Sequence, residues 1–221
     1  MSVDKDKKIK ILLGLFVVIT LTIGLMVSFA GSKIPEYIGR ELTEKEERQI
    51  IAENSELTSY VKLSPHADFP RKGKISKITI HHMAGDYSLE QVGRNFGYKD
   101  RAASANYGID SNGNVGLYVE ESNRSWASRS EENDNMAVTI EVANDEVEGE
   151  WHVSDEAFQT LIDLCVDICS RNDIEKLVFT GDSEGNLTYH KMFTDETECP
   201  GPYLISRMKD IERLVNEQLD Q

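Results

Sequence analysis

The chain has 221 residues, of which 39% are hydrophobic, enough for one sizeable domain with appended segments. Its formal charge is −15 at pH 7, and residues 1–33 carry five Lys against two Asp, which leaves the rest of the chain at −18. Such an acidic body lacks the clustered Lys and Arg that phosphate backbones require, so nucleic acid is excluded as a partner.

An uncharged apolar run, residues 11–30, follows a basic N-terminus. Twenty helical residues span about 30 Å, the thickness of a bilayer's hydrocarbon core. Because four Lys lie in residues 5–10, we expect residues 1–10 to be cytoplasmic, residues 11–30 to be a transmembrane anchor, and the remainder to be extracytoplasmic. The stretch Ser28-Phe29-Ala30 also fits a signal-peptide cleavage site, in which case the chain is secreted.

Residues 31–74 are polar and are expected to form an extracytoplasmic stalk or linker. Within them, Thr43 and Glu46 are spaced as a capping box, which predicts a short helix from about Glu44 to Glu53. The domain proper is expected at residues 75–221.

From residue 75 onward, strand patterns alternate with helix patterns. A hairpin is predicted in NYGIDSNGNVGLYVE, where Asn-Gly separates two apolar runs. Further strands are predicted in ISKITIHH, MAVTIEVAN and KLVFTGD, and helices in SLEQVGRNFGYK, SDEAFQTLIDLCVDICSRN (with Ser154 as N-cap) and PYLISRMKDIERLVNEQL. This order predicts an α/β fold with a mixed central β-sheet covered by helices.

Two adjacent histidines end the first of these strands. Successive strand residues point to opposite faces, so His81 and His82 cannot easily bind the same ion. Ile78 and Ile80 belong on the face that packs against helices, and His81 belongs on the other face. His81 is therefore the candidate metal ligand, and His82 is expected to support it or to pack in the core.

His190 and Cys199 lie nine residues apart near the end of the chain. Together with His81 they would provide three protein donors, the composition of a catalytic zinc site with one open position. Glu141 lies in the middle of a predicted strand. It either faces solvent or acts as a general base whose pKa is raised by burial.

Four motifs in order, ITIHHMAG, ASANYGIDSNGNV, AVTIEVAN and LTYHKMFTDETECPGPYL, resemble the zinc-dependent N-acetylmuramoyl-L-alanine amidases of the amidase-2 type. This group includes phage lysozyme-amidases and shares its fold with peptidoglycan recognition proteins. The resemblance covers about residues 75–213. It implies the amidase-2 fold, a Zn²⁺ cofactor and peptidoglycan as the partner.

The resemblance also implies roles for individual residues. His81, His190 and Cys199 match the zinc ligands, and Glu141 matches the catalytic base. Tyr107 matches a strand tyrosine near the metal. Thr197 stands where many members carry a Lys thought to stabilise the oxyanion. Arg101 is a candidate partner for a stem-peptide carboxylate or else forms a surface ion pair, and the candidates for lining the substrate groove are Asn106 and Trp126.

The sequence thus predicts a peptidoglycan hydrolase that cleaves the amide bond between N-acetylmuramic acid and L-alanine of the stem peptide. Two alternatives remain. One is a peptidoglycan-binding module without turnover, and the other is a phage-type lysis amidase whose N-terminal segment is a releasable signal anchor.

Overall fold

A computed structural model of the chain describes residues 34–221. The predicted cytoplasmic residues 1–10 and the predicted anchor at residues 11–30 lie outside the described residues. Between residues 34 and 221, no helix combines the length and the apolar character needed to cross a membrane.

The centre of the fold is a six-stranded sheet. Its strands are β1 (Thr58–Val61), β3 (Lys77–His82), β4 (Tyr107–Ile109), β5 (Val115–Leu117), β7 (Ala137–Val142) and β8 (Leu187–Tyr189), and a small two-stranded sheet pairs β2 (Ala67–Asp68) with β6 (Arg124–Ser125). The strand order in the large sheet is β1-β5-β4-β7-β3-β8. Strands β4 and β5 form the predicted hairpin and run antiparallel, whereas the other neighbouring pairs run parallel. The prediction of a mixed sheet is therefore confirmed.

The predicted helices form where their capping residues indicate. Thr43 and Glu46 make the full capping box of the first helix, and the side chain of Ser154 accepts the backbone N–H of Ala157 at 3.1 Å. The helices are α1 (Glu44–Glu53), α2 (Leu89–Gly97), α3 (Glu131–Met136), α4 (Asp155–Arg171) and α5 (Gly201–Leu219), with a short 3-10 turn at His190–Met192.

The two faces of the sheet differ in chemistry. Ile78, Ile80 and Ile140 are fully buried in the main core, which also contains the apolar residues of α4 and α5. On the opposite face, Thr79 and Thr188 share a hydrogen bond of 2.9 Å between their hydroxyl groups. Strand alternation thus separates an apolar face, which the helices cover, from a polar face on which a functional site can form.

The segment expected to be a stalk contributes to this fold. Ile50 on α1 and Leu63 just after β1 are buried in the main core, and β1 pairs with β5 at the edge of the sheet. Residues 34–221 accordingly form one compact unit.

The stretch KLVFTGD was wrongly predicted to be a strand. Two of its backbone N–H groups donate to side chains of α5 instead of to a neighbouring strand: Leu177 to Asn216 Oδ1 at 2.8 Å and Phe179 to Glu212 Oε1 at 3.0 Å. The sixth strand is β8, which lies further along the chain and pairs with β3. Leu177 is buried, but the helix takes two of the backbone N–H groups of this stretch, and only the carbonyl of Val178 forms a hydrogen bond with β8, by accepting the N–H of Leu187 at 3.2 Å.

Candidate active site

Three elements bring the predicted metal ligands together on the polar face. His81 is on β3 and is 1% exposed. Strand β8 pairs with β3 so that Tyr189 lies opposite Ile80, which places His190, the next residue, beside His81. The ring centroids of the two histidines are 4.7 Å apart.

Cys199 reaches the same point from the loop before α5. Its sulfur accepts the backbone N–H of His82 at 3.4 Å, and its own N–H donates to the hydroxyl of Thr197 at 3.1 Å. The carbonyl of Cys199 accepts the N–H of Lys191 at 3.0 Å, which ties the loop to the turn that carries His190. Backbone hydrogen bonds therefore hold the thiol against the end of β3.

The geometry of these three residues fits a zinc ion. Their donor atoms all lie within 4.8 Å of one another, and His81 Nδ1 is 3.7 Å from Cys199 Sγ. A tetrahedral ion with Zn–S and Zn–N bonds of about 2.3 and 2.1 Å would separate two such donors by about 3.6 Å. The Nε2 atom of His190 is buried and has no hydrogen-bond partner among the described residues. Unpartnered buried nitrogens are costly unless they bind something.

The protonation states of the donors also fit a metal. Burial lowers the pKa of His81 well below its usual range and lowers the pKa of His190 to about 4. Both rings are therefore neutral at pH 7, the form that can bind a metal. Burial raises the pKa of the Cys199 thiol well above its usual value, so its thiolate needs a nearby cation.

Glu141 is the neighbour of His81 across the sheet. Strands β3 and β7 pair in parallel with His81 opposite Glu141, so both side chains lie on the polar face. The Oε2 atom of Glu141 is buried and has no hydrogen-bond partner among the described residues. Burial raises the pKa of this carboxyl to about 8, and the charge of Arg101 opposes the rise.

These groups open into a cavity of about 350 Å³. Thr197 and Arg101, both singled out from the sequence, line it together with Glu141, His190 and Cys199. The Arg101 guanidinium lies over the ring of Phe96, 5.9 Å from its centroid. The cavity therefore combines two of the three metal donors, His190 and Cys199, with a carboxyl group of raised pKa and a cationic group.

Tyr107 is not near the metal donors, and this prediction is corrected. The residue pairs with Ile140 across β4 and β7, so its side chain shares the helix-covered face and not the face of Glu141. It is fully buried, and its hydroxyl donates to Glu121 Oε1 at 2.7 Å. Arg171 on α4 binds the same carboxylate. Tyr107 thus anchors α4 to the sheet.

Replacing Tyr107 by Phe is expected to lower the free energy of unfolding by about 1–2 kcal/mol, because a buried hydrogen bond is lost. The kcat should change by less than about twofold, since the hydroxyl lies across the sheet from the site. Denaturant unfolding and steady-state kinetics of the variant check both values. A large loss of kcat with unchanged stability would show instead that Tyr107 takes part in catalysis.

Asn106 and Trp126 do not line the cavity either. The Asn106 side chain is fully buried, donates to Val119 O at 3.0 Å and accepts the N–H of Thr139 at 3.1 Å. The indole N–H of Trp126 donates to Asp68 at 3.0 Å beside the small sheet. Both side chains cross-link parts of the scaffold, so their predicted role in the groove is corrected.

The structure adds cavity residues that the sequence analysis missed. Helix α2 forms one wall, and the turn after β3 forms part of the rim. The added residues are Met83, Ala84, Tyr87, Val92, Asn95 and Phe96. Met83 and Ala84 belong to the HHMAG motif and the others follow it along the chain. This position shows that they are close in sequence to His81, but it does not show which face of α2 points at the cavity.

Gly201, the first residue of α5, follows the Cys199 loop closely. Its φ is +83°, and a Cβ there would lie 3.1 Å from the Trp151 Cβ and 3.2 Å from the His82 ring. The His82 ring also packs edge-on against Trp151, with centroids 5.3 Å apart. Any larger residue would therefore disturb the packing behind Cys199.

A left-handed backbone conformation costs an L-residue about 1–2 kcal/mol. Replacing Gly201 by Ala should lower the free energy of unfolding by more than this amount. Gly149 is the matched control, because its φ is +62° and nothing lies within 4 Å of an added Cβ. Thermal unfolding of both variants separates crowding from backbone strain. Equal losses for the two variants would show that the contact with His82 and Trp151 is unimportant.

Comparisons with known proteins agree with this arrangement. The family Amidase_2, described as N-acetylmuramoyl-L-alanine amidase, matches residues 71–202, more than half of the chain. No curated protein sequence matches the chain significantly.

Solved structures share the fold. The E90A mutant of PlyL is 15% identical with a TM-score of 0.55, covering 71% of this chain and 96% of that chain. An AmpD derivative is 18% identical with a TM-score of 0.53, covering 72% and 94%. The Drosophila peptidoglycan recognition protein PGRP-SA is 19% identical with a TM-score of 0.51, covering 68% and 90%.

Proposed function

The chain belongs to the N-acetylmuramoyl-L-alanine amidase family Amidase_2, and from this premise we propose that it is a zinc-dependent peptidoglycan hydrolase. The bond cleaved is the amide between N-acetylmuramic acid and L-alanine of the stem peptide. One observation carries the proposal: His190, Cys199 and Glu141 line one cavity, and the buried His81 lies opposite Glu141 with its donor atom within 4.8 Å of those of His190 and Cys199.

His81, His190 and Cys199 would hold the metal. A bound zinc ion supplies a Lewis acid that polarises the amide carbonyl and makes a neighbouring water more acidic. The fixed strand positions of His81 and Glu141, opposite each other in register, keep the carboxyl group next to the donor set.

Glu141 transfers the protons. With a dication nearby, the carboxylate form of Glu141 is favoured over the acid. The carboxylate accepts a proton from the attacking water, and the resulting acid donates it to the leaving alanine nitrogen. Burial raises the pKa of Glu141 and a nearby dication lowers it, and these opposing effects allow the group both to accept and to donate a proton near neutral pH.

Thr197 and Arg101 act on the substrate. The Thr197 hydroxyl accepts the N–H of Cys199 and can donate its own proton towards the carbonyl oxygen as negative charge develops there. Arg101 is the group that would pair with a carboxylate of the stem peptide. It lies on the cavity wall, and no salt bridge joins it to another described residue.

A binding module without turnover is the second candidate function, supported by the likeness to PGRP-SA. Such a module needs a groove but has no use for a carboxyl group of raised pKa beside metal donors. The full donor set together with Glu141 therefore favours the hydrolase.

The metal content tests the proposal directly. The purified full-length chain should hold about one zinc per molecule by elemental analysis. A metal-free chain whose activity does not respond to added zinc would contradict the proposal.

We also propose that residues 11–30 anchor the chain and place residues 31–221 outside the membrane, where the compact unit of residues 34–221 meets the cell wall. The uncharged run and the Lys residues before it support this topology. Protease added to intact cells should degrade the domain if it is exposed, and protection in spheroplasts would contradict the topology.

A further inference from the structure

We propose that Tyr87 receives the sugar ring of the substrate, and that the substrate lies along helix α2 with its sugar at Tyr87 and its stem peptide at Arg101. This inference rests on the proposed function and adds the substrate's direction in the cavity and the residue that selects for the sugar.

Tyr87 presents a partly exposed aromatic ring to the cavity. The side chain lines the cavity and is 39% exposed. Its ring packs against Gly85, where an added Cβ would lie 2.8 Å from Tyr87 Cε2. The Gly85 carbonyl accepts the N–H of Asn144 at 3.1 Å, which ties this turn to the end of β7. The ring is therefore supported from behind and open to a ligand.

The turn that carries Tyr87 is also conformationally constrained. Ala84 has a φ of +53°, in the left-handed region that residues with a Cβ rarely adopt. Such a conformation persists where the surrounding structure enforces it, and it occurs often at ligand sites. Ala84 lines the same cavity, so the constraint falls on the wall of the site.

The two ends of the cavity wall differ in chemistry. Tyr87 precedes the N-cap of α2, Ser88, and Arg101 follows the helix, which ends at Gly97. A helix of nine residues is about 14 Å long, enough to separate two subsites. Among the described residues lining this cavity, Arg101 is the sole Lys or Arg. One end is thus aromatic and the other cationic.

The proposed substrate has a matching asymmetry. On one side of the scissile amide is a pyranose ring, whose C–H faces pack on aromatic rings and whose hydroxyls can bond to a tyrosine O–H. On the other side is a peptide that carries a carboxylate, the partner of a guanidinium. With the amide at the metal donors, the aromatic end fits the sugar and the cationic end fits the peptide.

The test compares two substrates that share the scissile amide. One is an N-acetylmuramyl peptide. The other is the same peptide acylated with a 2-methoxypropanoyl group, which keeps the ether and the amide but removes the sugar ring. In the full-length chain, Tyr87→Ala should lower kcat/KM about tenfold on the muramyl peptide and less than twofold on the sugar-free peptide.

Tyr98 provides the matched control. It is a tyrosine at the other end of α2 that is 60% exposed and does not line the cavity. Tyr98→Ala should leave kcat/KM unchanged on both substrates. The proposed direction would be overturned if Tyr87→Ala lowered kcat/KM equally on both substrates. It would also be overturned if Tyr98→Ala lowered kcat/KM on the muramyl peptide as much as Tyr87→Ala does.

Binding without turnover gives an independent readout. In the Glu141→Gln background, adding Tyr87→Ala should weaken binding of the muramyl peptide about tenfold by calorimetry, and binding of the sugar-free peptide should not change. If the zinc-loaded parent chain cleaves both substrates equally well, only the sugar subsite is wrong. If it cleaves neither, the proposed function fails and this inference fails with it.

Discussion

Replacing Glu141 by Gln is expected to lower kcat about a thousandfold while the zinc content stays unchanged. The amide has the shape of the carboxyl group but cannot accept the proton of the attacking water. Glu141 lies beside His81 but is not one of the three metal donors. The substitution should therefore leave the metal site intact.

The measurement is hydrolysis of a muramyl peptide, combined with elemental analysis of the same protein sample. Glu146→Gln is the control, because Glu146 is an exposed carboxylate in the loop that follows the same strand. It should retain full activity. A Glu141→Gln variant that binds zinc and hydrolyses substrate at the parent rate would exclude Glu141 as the base.

Replacing Cys199 by Ala is expected to abolish both zinc binding and hydrolysis. Loss of a hydrogen bond that supports a metal ligand typically weakens metal affinity 10–100-fold, and removal of a ligand itself should cost more. The cavity would keep two neutral imidazoles, which hold zinc poorly without a third donor. The zinc-dependent rise in melting temperature should disappear as well.

Cys169 is the matched control for this substitution. It is a free, buried cysteine on α4, on the apolar side of the sheet. Cys169→Ala removes a thiol of the same kind and should keep zinc and activity. If Cys199→Ala still binds zinc with the parent affinity, measured by competition with a chromogenic chelator, the proposed donor set is wrong.

Much of the fold follows from local patterns in the sequence. Capping residues such as Thr43 and Ser154 fixed the helix starts, because their side chains satisfy the free N–H groups of the first turn. Alternation in β3 separated His81 from the isoleucines, since the period of a strand is two residues.

The errors arose where the answer depends on distant partners. Alternation gives two faces for Tyr107 but not which of them bears the site; its register with Ile140 decides that. Asn106 looked available for substrate because its buried partners, Val119 and Thr139, are far away in sequence. KLVFTGD has the composition of a strand, but α5 supplies its hydrogen-bond acceptors.

The site was more predictable than its walls. The metal donors and Glu141 are fixed by chemical requirements that restrict residue type, so a motif identifies them. Val92 and Phe96 only have to present an apolar surface to the cavity, a requirement that many residue types meet. Their role becomes visible once α2 is placed against the sheet.

The products released from purified cell walls test the central claim most directly. After digestion with the zinc-loaded full-length chain, mass spectrometry should find new alanine amino termini on stem peptides and glycan strands that carry free lactyl carboxyl groups. The number of reducing sugar ends should not increase. New reducing ends without new alanine termini, or no soluble product at all, would contradict the assignment as an N-acetylmuramoyl-L-alanine amidase.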